Sequence, residues 1–573
     1  MIATTSAESA AALEPAVRSA APDGRLPIVI GVTGHRHLRP ADFPKHREHV
    51  CELFTQLRKR YPSTPLRIVT ALAEGADRLV AEVALESGHE LLVPLPLEAA
   101  DYERDFPDSI AEFHSILRRV PPEEVFVLPR DDDSDSEHPT PPDKREKRYR
   151  AVGMFLAQQT HLLLALWDGH PTDSNAGTAA VVRMKLEGPS GLPEAGLRPL
   201  DAEDGGPVYH IHAPRAGVDA TQAAKEPEWI FPQEGDEAQF HTLCSRIDRF
   251  NSEPLRRSFT ESLPEAARAL LPDIASRSAA GQSLAAAFAA ADLLARHYQR
   301  TTRVVLRLTL LFAALLAVIF EVYAEVLPWR ALPAGYLAAF ASLTAILIWQ
   351  GSRDVQGRYL DYRALAEGLR VQFYWRLAGL PDSASSSYLR KQLDELRWIR
   401  EALRAAAALP PPRTAHPELA VEHWIGGQAE YYGDRAHTQR ERLHRLERRS
   451  KIFMGAGLLA AASLVIFWSL LEDLPAWHHW IVVLMGFAPI GAALWETYAE
   501  RLGLRTQVNQ YARFAGIFRR AGRFAERLET HPGRHDRHHA LSALLRELGR
   551  EALMENGDWV LLQRERPIVL PKG

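Results

Sequence analysis

Hydrophobic residues are distributed differently in the two halves of the chain. The second half contains four stretches of mostly apolar residues, at 304–323, 331–349, 452–471 and 474–495. Each is long enough to cross the hydrocarbon core of a bilayer as a helix. Soluble core helices also reach this length, but four such stretches in two closely spaced pairs predict an all-α membrane region with four transmembrane helices in two hairpins.

Basic residues predict the orientation of these spans. Arginine and lysine gather before the first and third spans and after the second and fourth, at positions that include Arg303, Arg353, Arg449 and Arg505. The turn within the first pair holds one basic residue, Arg330, and the turn within the second pair holds none. Because basic residues stay preferentially on the cytoplasmic side, both turns are expected outside, and the N- and C-termini are expected in the cytoplasm.

The two pairs of spans look like copies of one unit. The first and third spans begin 148 positions apart, and a long amphipathic helix is predicted after each pair, at 358–377 and 506–524. Internal duplication is common in membrane proteins. Small residues four positions apart, such as Gly335 and Ala339, favour close helix contacts within one chain or between subunits. The middles of the spans lack Asp, Glu, Lys and Arg, which argues against an ion-coupled carrier.

The first half of the chain has the alternation of an α/β domain. Short apolar runs predict strands at 28–32, 66–72, 90–96, 123–128, 161–169 and 207–213, with helices between them, for example at 45–61 and 76–87. Nearly continuous apolar strands are typical of a parallel sheet buried on both faces. We therefore predict a Rossmann-like open parallel sheet, in which ligands bind at the carboxyl ends of the strands. Residues 1–25 read as a disordered leader without the features of a secretory signal.

Candidate binding residues follow these predicted strands. They are Gly31, Thr33, Gly34, His35 and Arg36 after the first strand, Glu74, Gly75, Asp77 and Arg78 after the second, Pro94 at the end of the third, Asp168 after the fifth, and Gly177 and Thr178 at a helix start. Glycine turns and helix N-termini suit phosphates, and carboxylates suit ribose hydroxyls or acid–base chemistry. Each feature alone is also typical of an ordinary turn, but together they predict a nucleotide-type pocket.

Composition and residue spacing limit which partners, cross-links and metals are expected. The formal net charge of −4 gives no reason to expect a nucleic-acid partner, and two cysteines exclude a disulfide framework. Four early histidines, His35, His37, His46 and His49, lack the spacing of a metal site. The charged segment at 130–148 has the composition of a mobile loop that could bring Arg145, Lys147 and Tyr149 to the pocket.

Several blocks of the first half resemble a known superfamily. "GVTGHRHL", "ALAEGADRLVAEVAL", "LLVPLP", "DYERDF", "LLLALWDG" and "GTAAVV", within residues 26–215, look like a SLOG domain. The two hairpins with their flanking helices, and the tail pattern "ENGDWVLL", look like SLATT modules. The resemblance implies a cytoplasmic sensor of a nucleotide or NAD-derived signal, ADP-ribose-like or a cyclic nucleotide, joined to a pore-forming effector of antiviral defence (abortive infection) in the bacterial inner membrane.

The resemblance also sets the expected boundaries. Residues 26–245 form the SLOG-like domain, 246–410 the first SLATT-like module and 411–573 the second. In addition to the lipid bilayer, a homo-oligomer is expected, because four slim spans rarely enclose a pore alone. The alternative is a membrane-anchored hydrolase of nucleotides or NAD, and a third reading is a scaffold with a vestigial pocket. The related LOG phosphoribohydrolases carry a catalytic Glu where this chain has Val181, which counts against an enzyme.

Overall fold

The computed structural model describes most of the chain. The described residues are 23–129, 140–171, 177–188, 205–216, 225–233, 235–254, 261–268, 278–388, 396–410, 414–529 and 534–565, together with residues 259, 270 and 412. Most of the predicted leader, part of the predicted loop at 130–148 and the start of the "NAGTAAVV" segment lie outside this set.

The N-terminal domain is built on a seven-stranded sheet. Its strands are β1 Ile28–Gly34, β2 Leu66–Val69, β3 Glu90–Leu95, β4 Val125–Val127, β5 Leu162–Trp167, β6 Val208–His212 and β7 Glu228–Ile230. The order is β4-β3-β2-β1-β5-β6-β7, and every neighbouring pair is parallel except β6 with β7. The predicted Rossmann-like sheet is confirmed, with chain order reversing between β1 and β5.

Helices cover both faces of this sheet. They are α1 Phe43–Arg60, α2 Ala76–Glu86, α3 Ala99–Tyr102, α4 Ile110–Leu117, α5 Pro142–Gln159, α6 Thr178–Glu187 and α7 Glu237–Ser252, with 3-10 turns at Pro40–Asp42, Glu103–Asp105, Pro107–Ser109 and Pro122–Glu124. Alternate residues of β1 point to opposite faces. Ile28 and Ile30 join a core with α1 and α2, whereas Val29 joins a core with α5 and α6. This two-sided burial explains the continuous apolar runs of the sequence.

The rest of the described chain is helical. Its α-helices are α8 Leu263–Arg268, α9 Ala279–Glu321, α10 Ala331–Arg353, α11 Val355–Leu377, α12 Ala384–Ser387, α13 Arg397–Ala407, α14 Pro417–Ala420, α15 Gly427–Ile466, α16 Trp468–Glu472, α17 Pro475–Arg501, α18 Leu504–Glu529 and α19 Arg534–Arg564. Two π-helical segments, Val322–Val326 and Val421–Gly426, lie next to α9 and α15.

Four of these helices are long and apolar enough to span a membrane. Most of each predicted span lies in one of these helices, α9, α10, α15 and α17. Large apolar side chains on them face outward: Leu337, Leu458 and Val465 are 67%, 72% and 79% exposed. Surfaces of this kind are unfavourable in water and favourable in lipid. The chain is therefore a membrane protein, and the two predicted hairpins are confirmed.

The two membrane hairpins have matching surroundings. α9 and α15 begin 148 positions apart, the same offset as the predicted spans, and each continues without a break from outside the apolar stretch into it. The two predicted helices are present as α11 and α18, which pack along α9 and α15 respectively. α18 is amphipathic as predicted, whereas α11 is buried on most of its surface. One detail differs: the third span is interrupted at Phe467, with φ −107° and ψ 26°, and the short α16 completes it.

The helical region contacts the sheet at the amino ends of its strands. His161, directly before β5, accepts a hydrogen bond at Nδ1 from the Val29 N–H at 2.9 Å, and its Nε2 donates to the Glu401 carbonyl in α13 at 2.8 Å. The Glu401 carboxylate pairs with Arg404 at 2.8 Å. Arg67 in β2 donates to the Ala408 carbonyl at 3.0 Å, just beyond α13. This contact, which we call the junction, ties the sheet to the helices.

Candidate functional site

The candidate site lies at the carboxyl ends of β1 and β5. The chain order reverses between these two strands, and this is where open α/β sheets form a crevice for ligands. Most of the binding residues predicted from the sequence were expected at this edge. The structure brings together those that follow β1, β2 and β5, but assigns them different roles.

Glycine is required where the first two loops meet. A Cβ on Gly34 would lie 2.6 Å from the Leu166 carbonyl oxygen, and Gly75 has a φ of +77°. The Ala76 N–H at the start of α2 donates to the His35 carbonyl at 3.1 Å. A side chain at either glycine would push the β1 loop away from α2 or β5. Gly31 is buried in β1 against Thr160, and Thr33 is 8% exposed, so both support the loop from below.

A histidine, an aspartate and an arginine form the centre of the edge. His35 Nε2 lies 3.1 Å from Asp168 Oδ2 and 3.1 Å from the Asp168 backbone nitrogen. Arg215, just after β6, places its Nε 3.4 Å from both Asp168 Oδ2 and His35 Nε2. We call these three residues the edge triad. Arg215 was not predicted, although the rule that parallel strands end together extends to residues after β6.

The protonation of the edge triad follows from its surroundings. Burial lowers the pKa of His35, and the nearby Arg215 adds to this, against the opposing effect of Asp168. Burial alone would raise the pKa of Asp168, but the His170 N–H and the imidazole of His35 lower it overall. Near neutral pH the edge triad thus combines a neutral imidazole, a carboxylate and a guanidinium. With Nε2 unprotonated, His35 accepts the Asp168 N–H; in its other neutral tautomer it donates to the carboxylate.

Arg36 supplies an additional positive charge at the mouth. Its side chain is exposed, and its guanidinium carbon lies 5.6 Å from the centre of the Tyr149 ring. No described carboxylate is paired with it. The Tyr149 hydroxyl bonds Asp105, and Arg145 pairs with Asp101 at 2.9 Å, so α5 is fixed against the segment after β3. Arg215 already pairs with the Asp168 carboxylate. Arg36 is therefore a second arginine at this edge whose charge is available to an anionic ligand.

The charged residues after β2 have mainly internal partners. Arg78 is 1% exposed; it donates to the Leu72 carbonyl at 3.1 Å and pairs with Glu112 at 2.7 Å. Glu74 accepts a hydrogen bond from the Ser109 hydroxyl. These contacts fasten α2 and the loop before it to α4 and to Ser109 directly before α4, so both residues shape the wall of the crevice.

Asp77 is a buried acid beneath the crevice. It is 5% exposed and accepts a hydrogen bond from the Thr70 hydroxyl at 2.9 Å. Burial raises the pKa of Asp77 to about 7, although hydrogen bonds from Thr70 and from the Ala73 N–H act in the opposite direction. The carboxyl group is therefore partly protonated at neutral pH.

The remaining predicted residues lie at different depths. Pro94 is the penultimate residue of β3, where it is buried and paired in register with Phe126 of β4. Gly177, with a φ of +103°, precedes α6, and Thr178 is its first residue. Since α6 follows β5 in a parallel crossover, its N-terminus lies at the carboxyl edge. The first N–H groups of a helix lack partners within it and favour anions.

The described residues contain no group of three His, Cys, Asp or Glu side chains placed to hold an ion.

Comparison of the protein with family models, with curated proteins and with solved structures finds no match. Fold and site together define a class: a membrane protein with four candidate spans and a Rossmann-like domain that has a polar, arginine-bearing edge.

Proposed function

We propose that this protein is a ligand-gated membrane effector. Its N-terminal domain, which resembles SLOG domains, binds a nucleotide or an NAD-derived molecule at the edge triad and Arg36. Occupancy then changes the arrangement of the spans, which resemble SLATT modules, and opens or assembles a pore in a homo-oligomer. Such an activity suits antiviral defence by abortive infection at the bacterial inner membrane, with the N-terminal domain in the cytoplasm.

One observation carries this proposal. The arginine-bearing edge and the four spans belong to one chain, and β5 connects the edge to the junction. His161 at the junction precedes β5, and Asp168 of the edge triad follows it. Six strand residues cover a distance of about 20 Å. If binding of an anion displaces Asp168, β5 would transmit this displacement to His161 and so to α13.

The chemistry of the edge favours a phosphate-bearing ligand. Arg36 and Arg215 offer fork-shaped donors for phosphate oxygens, and the N-terminus of α6 adds backbone donors. The Asp168 carboxylate suits a ribose hydroxyl. A ligand shifts the spans only if it binds one arrangement better than the other, and tenfold better binding supplies about 1.4 kcal/mol.

Two measurements on the full-length protein test the proposal. Thermal melting in detergent with ADP-ribose, NAD or cyclic nucleotides should reveal a ligand that raises the melting temperature. Release of a trapped dye from liposomes should increase with that same ligand. Arg215→Gln should weaken binding about tenfold. The control is Arg47→Gln, because Arg47 is a half-exposed arginine of α1 whose described ion-pair partner is Glu86 and not a residue of the edge triad.

A hydrolase remains the second candidate, favoured by one observation. A neutral His35 next to Asp168 is a common arrangement for a general base. Against it, Val181, at the position of the LOG catalytic Glu, is 6% exposed and packs in the sheet core beside α5. Incubating the full-length protein with NAD and nucleotides decides between the two, because turnover that His35→Asn abolishes would favour the enzyme.

A further inference from the structure

A large cavity lies among the membrane helices, far along the chain from the edge triad. Its volume is about 820 Å³, and its walls come from α9, α15 and α17. This volume is within the usual size of small-molecule sites. Leu311 on its wall is 62% exposed, so the cavity opens sideways toward the surface that faces lipid.

Arginines gather at one end of the cavity. Arg307 of α9 and Arg442 of α15 donate to the Tyr498 hydroxyl at 3.3 and 3.2 Å. Arg449 lies over the Trp495 ring at 5.0 Å. Among the described residues, none of these three arginines is paired with a carboxylate; a fourth, Arg445, is 3.6 Å from Glu441. This end therefore carries uncompensated positive charge.

The other end of the cavity is apolar. Its wall residues there include Ala314, Val318, Phe487 and Ile490. From Arg307 to Val318 is eleven helix residues, or about 16 Å at 1.5 Å per residue. Polar and apolar ends are thus separated along the direction of the spans, as the head and tail of a lipid are.

We propose that this cavity binds an anionic phospholipid. The phosphate lies among Arg307, Arg442 and Arg449, and one acyl chain runs along α9 toward Val318. Guanidinium groups match phosphate oxygens, and basic pockets between membrane helices are suited to anionic headgroups. The Trp495 and Tyr498 rings lie at the same end, which agrees with the preference of these side chains for the membrane interface. This inference does not depend on the proposed function of the N-terminal domain.

The experiment compares lipids on the purified full-length protein. Native mass spectrometry and thermal melting are measured with phosphatidylglycerol, with phosphatidylcholine of the same chains and with inorganic phosphate alone. Phosphatidylglycerol should bind about tenfold more tightly than phosphatidylcholine and should raise the melting temperature most. Equal binding of the two lipids, or an equal shift with inorganic phosphate alone, would overturn the proposal.

Variants locate the lipid. Arg307→Gln combined with Arg442→Gln should weaken phosphatidylglycerol binding about thirtyfold, because each basic residue near a membrane surface contributes roughly 1 kcal/mol. Ala314→Phe fills the apolar end and should weaken it as well, while the arginines stay intact. Arg448→Gln is the control, since Arg448 is exposed on α15 and does not line the cavity. Unchanged binding in Ala314→Phe would contradict the proposed position, even if the double variant fails to fold.

Discussion

Protonation of His161 should loosen the junction between the sheet and the helices. In the structure its Nδ1 accepts the Val29 N–H and its Nε2 donates to the Glu401 carbonyl, so both ring nitrogens are used by the neutral form. A protonated imidazole carries hydrogen on both nitrogens and cannot accept from Val29. Lowering the pH from 8 to 5 is therefore a direct perturbation of the junction.

The size of the effect follows from the pKa. Burial lowers the pKa of His161 to about 4, despite the neighbouring Glu401. In the opened state the pKa returns to about 6.5, so the opened state binds the proton more tightly. The stabilisation of the junction by neutral His161 is complete above pH 6.5 and is lost as the pH falls toward 4. By linkage, the loss is about 2 kcal/mol at pH 5 and about 3 kcal/mol below pH 4.

Hydrogen exchange measures this loss at the bond itself. After correction for intrinsic exchange, the free energy of opening at the Val29 amide should fall by about 2 kcal/mol between pH 8 and pH 5. His161→Asn keeps an acceptor near Val29 but cannot be protonated, so its opening energy should be lower at pH 8 and change much less with pH. If wild type and variant show the same pH dependence, the assignment of His161 as the buried neutral link is wrong.

Three further predictions concern the wall of the site and the membrane topology. Gly34→Ala should destabilise the N-terminal domain by about 2 kcal/mol in thermal melting, because the added Cβ would crowd the Leu166 carbonyl. Gly516→Ala is the control and should cause no destabilisation, because a Cβ added there meets no atom within 4 Å. Arg78→Leu should cost about 3 kcal/mol by leaving buried acceptors and Glu112 without their partner, measured in the same melts. With the partly exposed native Cys51 replaced by serine, Asp473→Cys should react with an impermeant maleimide only from outside the cell, and labelling from the cytoplasmic side would reverse the predicted topology.

The broad fold was predictable because each part has a strong periodic signal. Buried parallel strands produce continuous apolar runs, and membrane helices produce long ones, so both regions are recognisable without structural data. Two features with weak sequence signals were not predicted. β7 has only three residues, Glu228–Ile230. The break at Phe467 lies in the mostly apolar run 458–471, which contains no glycine or proline to mark it.

The candidate site was predictable in position but less so in composition. The rule for parallel sheets predicted that His35, Asp168 and the glycines of the loops share one edge, and the structure has them there, because the rule depends only on where strands end. The same rule cannot tell an inward side chain from an outward one. Arg78 therefore looked like a binding residue, although tertiary contacts bury it, and Arg215 was overlooked because it follows β6 in an ordinary-looking turn.

Dye release from liposomes that contain the full-length protein tests the central claim most directly. We predict that one nucleotide or NAD-derived molecule raises the release rate at concentrations near its dissociation constant, and that Arg215→Gln shifts this response to about tenfold higher concentration. A ligand that binds at the edge triad, as shown by a smaller thermal shift in Arg215→Gln at the same concentration, but leaves release unchanged in wild type would contradict the account.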